Sequence, residues 1–202
     1  MDRLWTPWRY NYVSRAGHEP RPGVPKELEA WPGDRDCVFC NLIAAADYAS
    51  SAEAAGGRMP VEDADKAAHI VHRATHNYIC LNAYPYNSGH VMIVPYAHQS
   101  SLAALEEVAA LEMMRLARWT EQVLRSVYRP EGLNLGMNLG EAAGAGVAGH
   151  IHLHVLPRWA GDTNFMTVVA ETRVLPETLD ITWQRLRDAF QRHTFQTGEQ
   201  PC

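Results

Sequence analysis

A chain of 202 residues, 47% hydrophobic and 20% charged, has the composition of a globular protein and the length of one domain. Its net charge of −5 leaves no basic footprint, which argues against general nucleic-acid binding but allows a local positive cleft. The opening residues carry no apolar run suited to a signal peptide, and no stretch reaches ~18 uninterrupted apolar residues, so no membrane span and a cytoplasmic location are expected.

Residues 1–36 are rich in aromatics and proline, which predicts an extended arm lying on a surface. Trp5 and Trp8 would anchor it on the domain or on a second subunit. Cys37-Val38-Phe39-Cys40 then leads into a short apolar turn, Leu42-Ile43. Alone, this pair is a redox couple, half a zinc site, or two small residues. With Cys80 and Cys202 scattered elsewhere, the cysteines do not form a disulfide framework.

Residues 44–68 read as a partly helical, partly loose insertion without chemistry. Two strands follow at 69–73 and 77–82, with His69 and His72 as surface or edge residues. Ala83 to Ser88 is a loop, and Gly89 to Val94 a strand stopped by Pro95. Asn82, before the loop, suits either turn chemistry or a diol, because an amide both donates and accepts. Ser101 to Tyr128 is the clearest helix, with Leu102, Leu105, Val108, Leu111, Met114, Leu116, Trp119, Val123 and Val127 at helical spacing. Ser100 or Ser101 would cap it, and Pro130 and Gly132 would end it. Leu133 to Leu139 alternates as a strand. Gly140 to Gly149 holds four glycines and four alanines, small residues that let backbone N–H groups approach an anion or simply pack closely.

Then comes Gly149-His150-Ile151-His152-Leu153-His154-Val155-Leu156-Pro157-Arg158, with three of the ten histidines at alternate positions. Period two defines a strand, so the imidazoles share one face and Ile151, Leu153 and Val155 the other. Pro157 is expected to end regular pairing. Aligned imidazoles suit a metal site or nucleophilic and acid–base chemistry at neutral pH. Gly161 to Phe165 reads as a loop, Met166 to Val169 as a strand and Leu175 to His193 as a second helix, with Leu179, Trp183, Leu186 and Phe190 on one face. The expected organisation is an arm (1–36), one domain (37–195) and a tail (196–202). Two main helices and about five strands predict an α+β fold with an antiparallel sheet.

The His-apolar-His-apolar-His-apolar-apolar run resembles the signature of the histidine triad family of nucleotide hydrolases and transferases. The resemblance extends over Asn138 to Gly146, Pro157 to Asp162, Leu81 to His90 and Trp5 to Arg9, and looks most like the bacterial branch containing diadenosine tetraphosphate phosphorylases. It implies a two-fold homodimer with a HIT-like fold acting on adenine nucleotides. His152 would attack an α-phosphate, forming a nucleoside monophosphate–histidine intermediate, with a backbone carbonyl holding its other ring nitrogen. His154 would hydrogen-bond a phosphate oxygen beside it, and His150 completes the triad. Asn82 would bind ribose hydroxyls, His90 would lie near the phosphates, behind the residues that touch them, and Asn138, Ala145 and Gly146 would belong to the substrate site and its phosphate loop. Relatives with a structural zinc imply Cys37, Cys40, His98 and His150 as its ligands. Many members carry Gln or Ser where this chain has Gly146, followed by Val147, so only backbone donors remain there. Phosphate and water both stay open as the second acceptor. A nucleoside phosphoramidate or adenylylated substrate, a low-turnover nucleotide sensor, and a metalloenzyme with all three triad histidines as ligands are the alternatives.

Overall fold

The computed structural model describes residues 21–54, 57–162 and 175–195. Trp5, Trp8, the strand expected at 166–169 and the tail lie outside the described residues. Five strands form one antiparallel sheet: β1 (Ile70–Arg73), β2 (Asn77–Leu81), β3 (Val91–Pro95), β4 (Gly132–Gly136) and β5 (Leu153–Arg158). Their order is β1-β2-β3-β5-β4, so the strand carrying the last triad histidine pairs with the strand that follows Gly89-His90. Four α-helices complete the described residues: α1 (Val38–Ser50), α2 (Val61–Ala67), α3 (Glu107–Tyr128) and α4 (Leu179–Arg192).

Alternation along each strand sorts the sheet residues onto two faces. Ile79, Leu81, Val91, Ile93, Leu153 and Val155 pack against α3 and α4, around Met113, Leu116 and Trp183. Tyr78, Cys80, Met92 and Val94 pack against α1 and α2, where Leu28 and Trp31 of the preceding segment are also buried. Each fully buried Leu or Ile stabilises by about 1.5–3 kcal/mol, so both layers hold the sheet. His154 sits opposite Met92 in register, which places it on the α1 side. On the other side, Trp183 Nε1 donates to Ile70 O at 2.8 Å and Arg187 Nη1 to Val71 O at 3.1 Å. These bonds satisfy carbonyls beside the irregular step between Ile70 and His72 in edge strand β1.

Several expectations are corrected. The Cys-x-x-Cys pair does not lead into a short turn. It opens α1, which runs on into the region expected to be partly helical and partly loose, supplies with α2 its helical part, and buries Ala44, Ala45 and Ala46. The long helix starts at Glu107, because Leu105 and Glu106 are extended; Ser101 instead caps a separate 3-10 turn over Leu102–Ala104. On α3 the buried face is Ala109, Met113, Leu116, Ala117, Thr120, Val123 and Leu124, flanked by Trp119. Val108, Leu111 and Met114 are about half exposed, at 52%, 51% and 53%. Pro157 does not end pairing: it lies within β5, opposite Leu133. Pairing with β3 stops at Val155, so the missing Pro157 N–H removes no ladder bond on that side. His72 lies on the edge strand, but its ring packs inward, 4.7 Å from Trp119 and 6.1 Å from Phe190.

Candidate active site and metal cage

The loop between β2 and β3 is pinned at both ends. Asn82 N donates to His90 O at 3.0 Å, and His90 N to Asn87 O at 3.2 Å. Gly89 makes the turn with φ of +79°, and a Cβ there would lie 2.7 Å from a ring carbon of Tyr128. Asn87 Nδ2 ties the loop to β5, donating to Pro157 O at 3.0 Å and to the Asp162 carboxylate at 2.8 Å. Arg158 grips that carboxylate through Nε at 2.6 Å and Nη2 at 3.0 Å. The Arg158 hydrogen bonds hold the Asp162 carboxyl down at about 2. Asn82 Oδ1 accepts from Tyr84 N at 2.9 Å, so turn chemistry is present at this residue and Nδ2 is its other polar atom.

His150 is 1% exposed and His152 6%. His150 Nε2 donates to Pro95 O at 2.9 Å, which turns Nδ1 toward Cys37 Sγ at 3.4 Å and Cys40 Sγ at 3.5 Å. His152 Nδ1 donates to His150 O at 2.9 Å, and a carbonyl only accepts, so Nε2 keeps its lone pair. Burial lowers both imidazoles, His150 to about 4, and both are neutral near pH 7. The His152 ring lies 4.8 Å from Phe39 and 4.8 Å from His154, the latter edge-on at 71°. His154 Nδ1 is 2.9 Å from His90 Nε2, and Tyr86 N donates to His90 Nδ1 at 3.1 Å.

The side chains of Cys37, Cys40, His98 and His150 converge, with all four ligand atoms within 4.8 Å of one another. Around tetrahedral zinc, sulfur at about 2.3 Å and nitrogen at about 2.0 Å stand about 3.5 Å apart. The sulfur–nitrogen separations here are 3.4, 3.3 and 3.5 Å. The Pro95 carbonyl takes the far N–H of His150, the usual outer partner of a metal-bound imidazole. Burial first, and Cys37 second, push the Cys40 thiol up to about 11, and a bound cation would displace its proton. These four residues can hold a metal ion.

Residues 63–161 match the family described as HIT domain. The AP-4-A phosphorylase of Mycobacterium tuberculosis is 34% identical over 192 residues, covering 95% of this chain and 86% of that protein. This chain belongs to the HIT family. A zinc-bound histidine triad family protein from Mycobacterium smegmatis has the same fold, with a TM-score of 0.56 and 23% identity, over 77% of this chain and 94% of that one. A histidine triad nucleotide-binding protein from Sulfolobus tokodaii gives 0.52 at 22% identity, over 61% and 84%. The α+β architecture with its five-stranded antiparallel sheet is the HIT fold. No helix among the described residues is long and apolar enough to cross a membrane.

In this HIT chain the expected residues fall into two groups. Cys37, Cys40, His98 and His150 form the cage, so His150 is turned away from the pair made by His152 and His154. β4 ends at Gly136, opposite His154, and Asn138 lies two residues beyond that end. The glycine loop follows, with Gly140 at φ +85° and Gly144 at φ +86°. Ala145 N donates back to Gly140 O at 3.3 Å, closing the loop on itself, while Gly146 is exposed. Sequence reasoning missed Phe39 as the ring against His152, and missed the Asn87–Asp162–Arg158 clamp. Phe39 was visible between the two cysteines; the clamp has no local signal.

Proposed function

We propose that this HIT protein cleaves a dinucleoside polyphosphate of the diadenosine tetraphosphate type at an α-phosphate. His152 Nε2 attacks phosphorus and the bond to the bridging oxygen breaks. With diadenosine tetraphosphate, AMP stays on His152 and ATP leaves. Inorganic phosphate or water then attacks the same phosphorus, the P–N bond breaks, and ADP or AMP is released. His154 hydrogen-bonds a bridging or non-bridging oxygen, and N–H groups of loop 140–149 stabilise the developing charge. Asn82 takes the ribose hydroxyls, and Asn138 and Gly146 lie along the phosphates.

The observation that carries this reading is the neutral His152 ring, held through Nδ1 by the His150 carbonyl with His154 at its side. The 34% identity to a named AP-4-A phosphorylase supports the substrate class. Incubation with diadenosine tetraphosphate, with and without phosphate, tests it. ADP that appears only with phosphate supports phosphorolysis; AMP plus ATP supports hydrolysis. Turnover of an adenosine phosphoramidate alone favours the second substrate class, and binding without products favours a sensor.

Zinc is our proposed occupant of the cage. Four protein ligands close the site, so the metal is structural and staples the start of α1 to the triad segment. A homodimer is proposed on the family resemblance, and the half-exposed Val108, Leu111 and Met114 of α3 and Leu135 of edge strand β4 are consistent with it. Sedimentation velocity measures it directly.

A further inference from the structure

Two backbone groups act on the paired histidines in opposite senses. The His150 carbonyl accepts from His152 Nδ1 at 2.9 Å, so that ring offers a lone pair at Nε2. The other ring is governed at one remove. Tyr86 N–H can only donate, and it points at His90 Nδ1 at 3.1 Å. His90 Nδ1 is therefore the acceptor, and the proton of the neutral ring sits on Nε2. That nitrogen is 2.9 Å from His154 Nδ1, which must then accept. The proton of His154 is left on Nε2.

We infer that His90 is a positioning residue: it relays the Tyr86 backbone N–H to His154 and fixes that ring as a hydrogen-bond donor beside a neighbour fixed as a nucleophile. The surroundings hold the relay in place. His90 is 1% exposed, so water does not compete for its ring nitrogens. Gly89 and the Asn82–His90 backbone bond set where the ring enters the sheet. The Tyr86 ring lies 4.7 Å from His90 and 6.1 Å from His154, covering both. Without the His90 donor, His154 can carry its proton on Nδ1 and turn a lone pair toward phosphate oxygens, which repel it. The consequence for turnover rests on the reaction proposed above; the tautomer assignment does not. His90 thus acts through His154, and the ring geometry supplies the route.

The test uses the full-length protein with 15N-labelled histidine. NMR reports which ring nitrogen of His154 carries the proton in the wild type, in His90→Gln, which keeps a donor at the same place, and in His90→Leu, which does not. Wild type and His90→Gln should show the proton on Nε2, and His90→Leu a population on Nδ1. With diadenosine tetraphosphate, His90→Leu should lose about tenfold or more in kcat with little change in KM, and His90→Gln should recover most of it. The loss should shrink for a nitrophenyl ester of AMP, whose leaving group needs no donor. A wild-type His154 protonated on Nδ1, or an unchanged tautomer in His90→Leu, overturns the inference. If the tautomers follow this pattern but no dinucleotide is turned over, the proposed reaction fails and the relay stands. The wild-type spectrum decides the assignment even if His90→Leu does not fold.

Discussion

Replacing His72 with Phe should remove a specific loss of stability in mild acid. The imidazole packs edge-on to Trp119 at 4.7 Å, with Phe190 and Phe195 at 6.1 and 6.4 Å. Burial, aided by Arg187 and opposed by Glu112, lowers it to about 4. In the unfolded chain the same group titrates near 6.5. The folded state therefore excludes a proton that the unfolded state binds. The stability from this site is complete above about pH 6.5 and is lost as pH falls toward 4. The difference between the two values gives a loss of about 2 kcal/mol by pH 5 and about 3 kcal/mol by pH 4. His69, His150 and His152 are also lowered by burial, so the wild-type protein loses more than this. The difference between wild type and His72→Phe isolates one residue. Urea unfolding followed by circular dichroism at pH 8 and pH 5 measures it. The variant should gain about 2 kcal/mol on the wild type between those pH values, whatever constant offset the larger ring introduces. An offset that stays the same at both pH values would refute the burial argument.

With zinc in the cage as proposed, chelation or Cys37→Ser should remove it. If free metal stands ~1,000-fold above its Kd, its loss removes about 4 kcal/mol and lowers Tm by about 10 °C, read by calorimetry with metal analysis. Gly89→Ala should cost about 1–3 kcal/mol in chemical denaturation and should also lower turnover, because the turn at φ +79° and the Tyr128 ring both oppose a Cβ and His90 follows immediately. Asp162, held at about 2 by Arg158, binds its proton less readily folded than unfolded, where the value is near 3.9. Its contribution is therefore present above about pH 4 and lost as pH falls toward 2, and Asp162→Asn should flatten the acid limb of a circular-dichroism titration.

The parts of this fold legible in the sequence are those written at short range. Alternation marked the strand through Leu153 and Val155, and the Gly89-His90 turn into β3, because each strand buries one face at period two; it set the start too early, since β5 begins at Leu153 and His150 and His152 precede it. The helical pattern of α3 was clear, but apolar residues lie on more than one side of it. Periodicity alone could not say that Thr120 faces the core while Leu111 does not. His72 reads as an edge residue until α4 folds back and lays Phe190 beside it. The metal cage joins Cys37 to His150 across 113 positions, which no local pattern encodes; the family resemblance supplied that pairing. The resemblance implied a backbone carbonyl behind His152, which His150 supplies, but the directions of the His150 and His90 ring nitrogens were not legible, since they depend on backbone groups at Pro95 and Tyr86.

The covalent intermediate on His152 is the central step of the proposed reaction, and peptide mass spectrometry tests it most directly. The protein is mixed with diadenosine tetraphosphate, quenched in alkali to spare a P–N bond, digested and mapped. The peptide containing residues 149–158 should carry an AMP adduct on His152 that disappears on brief acid treatment. Product formation with no adduct at any time point, or an adduct on another residue, would contradict the mechanism.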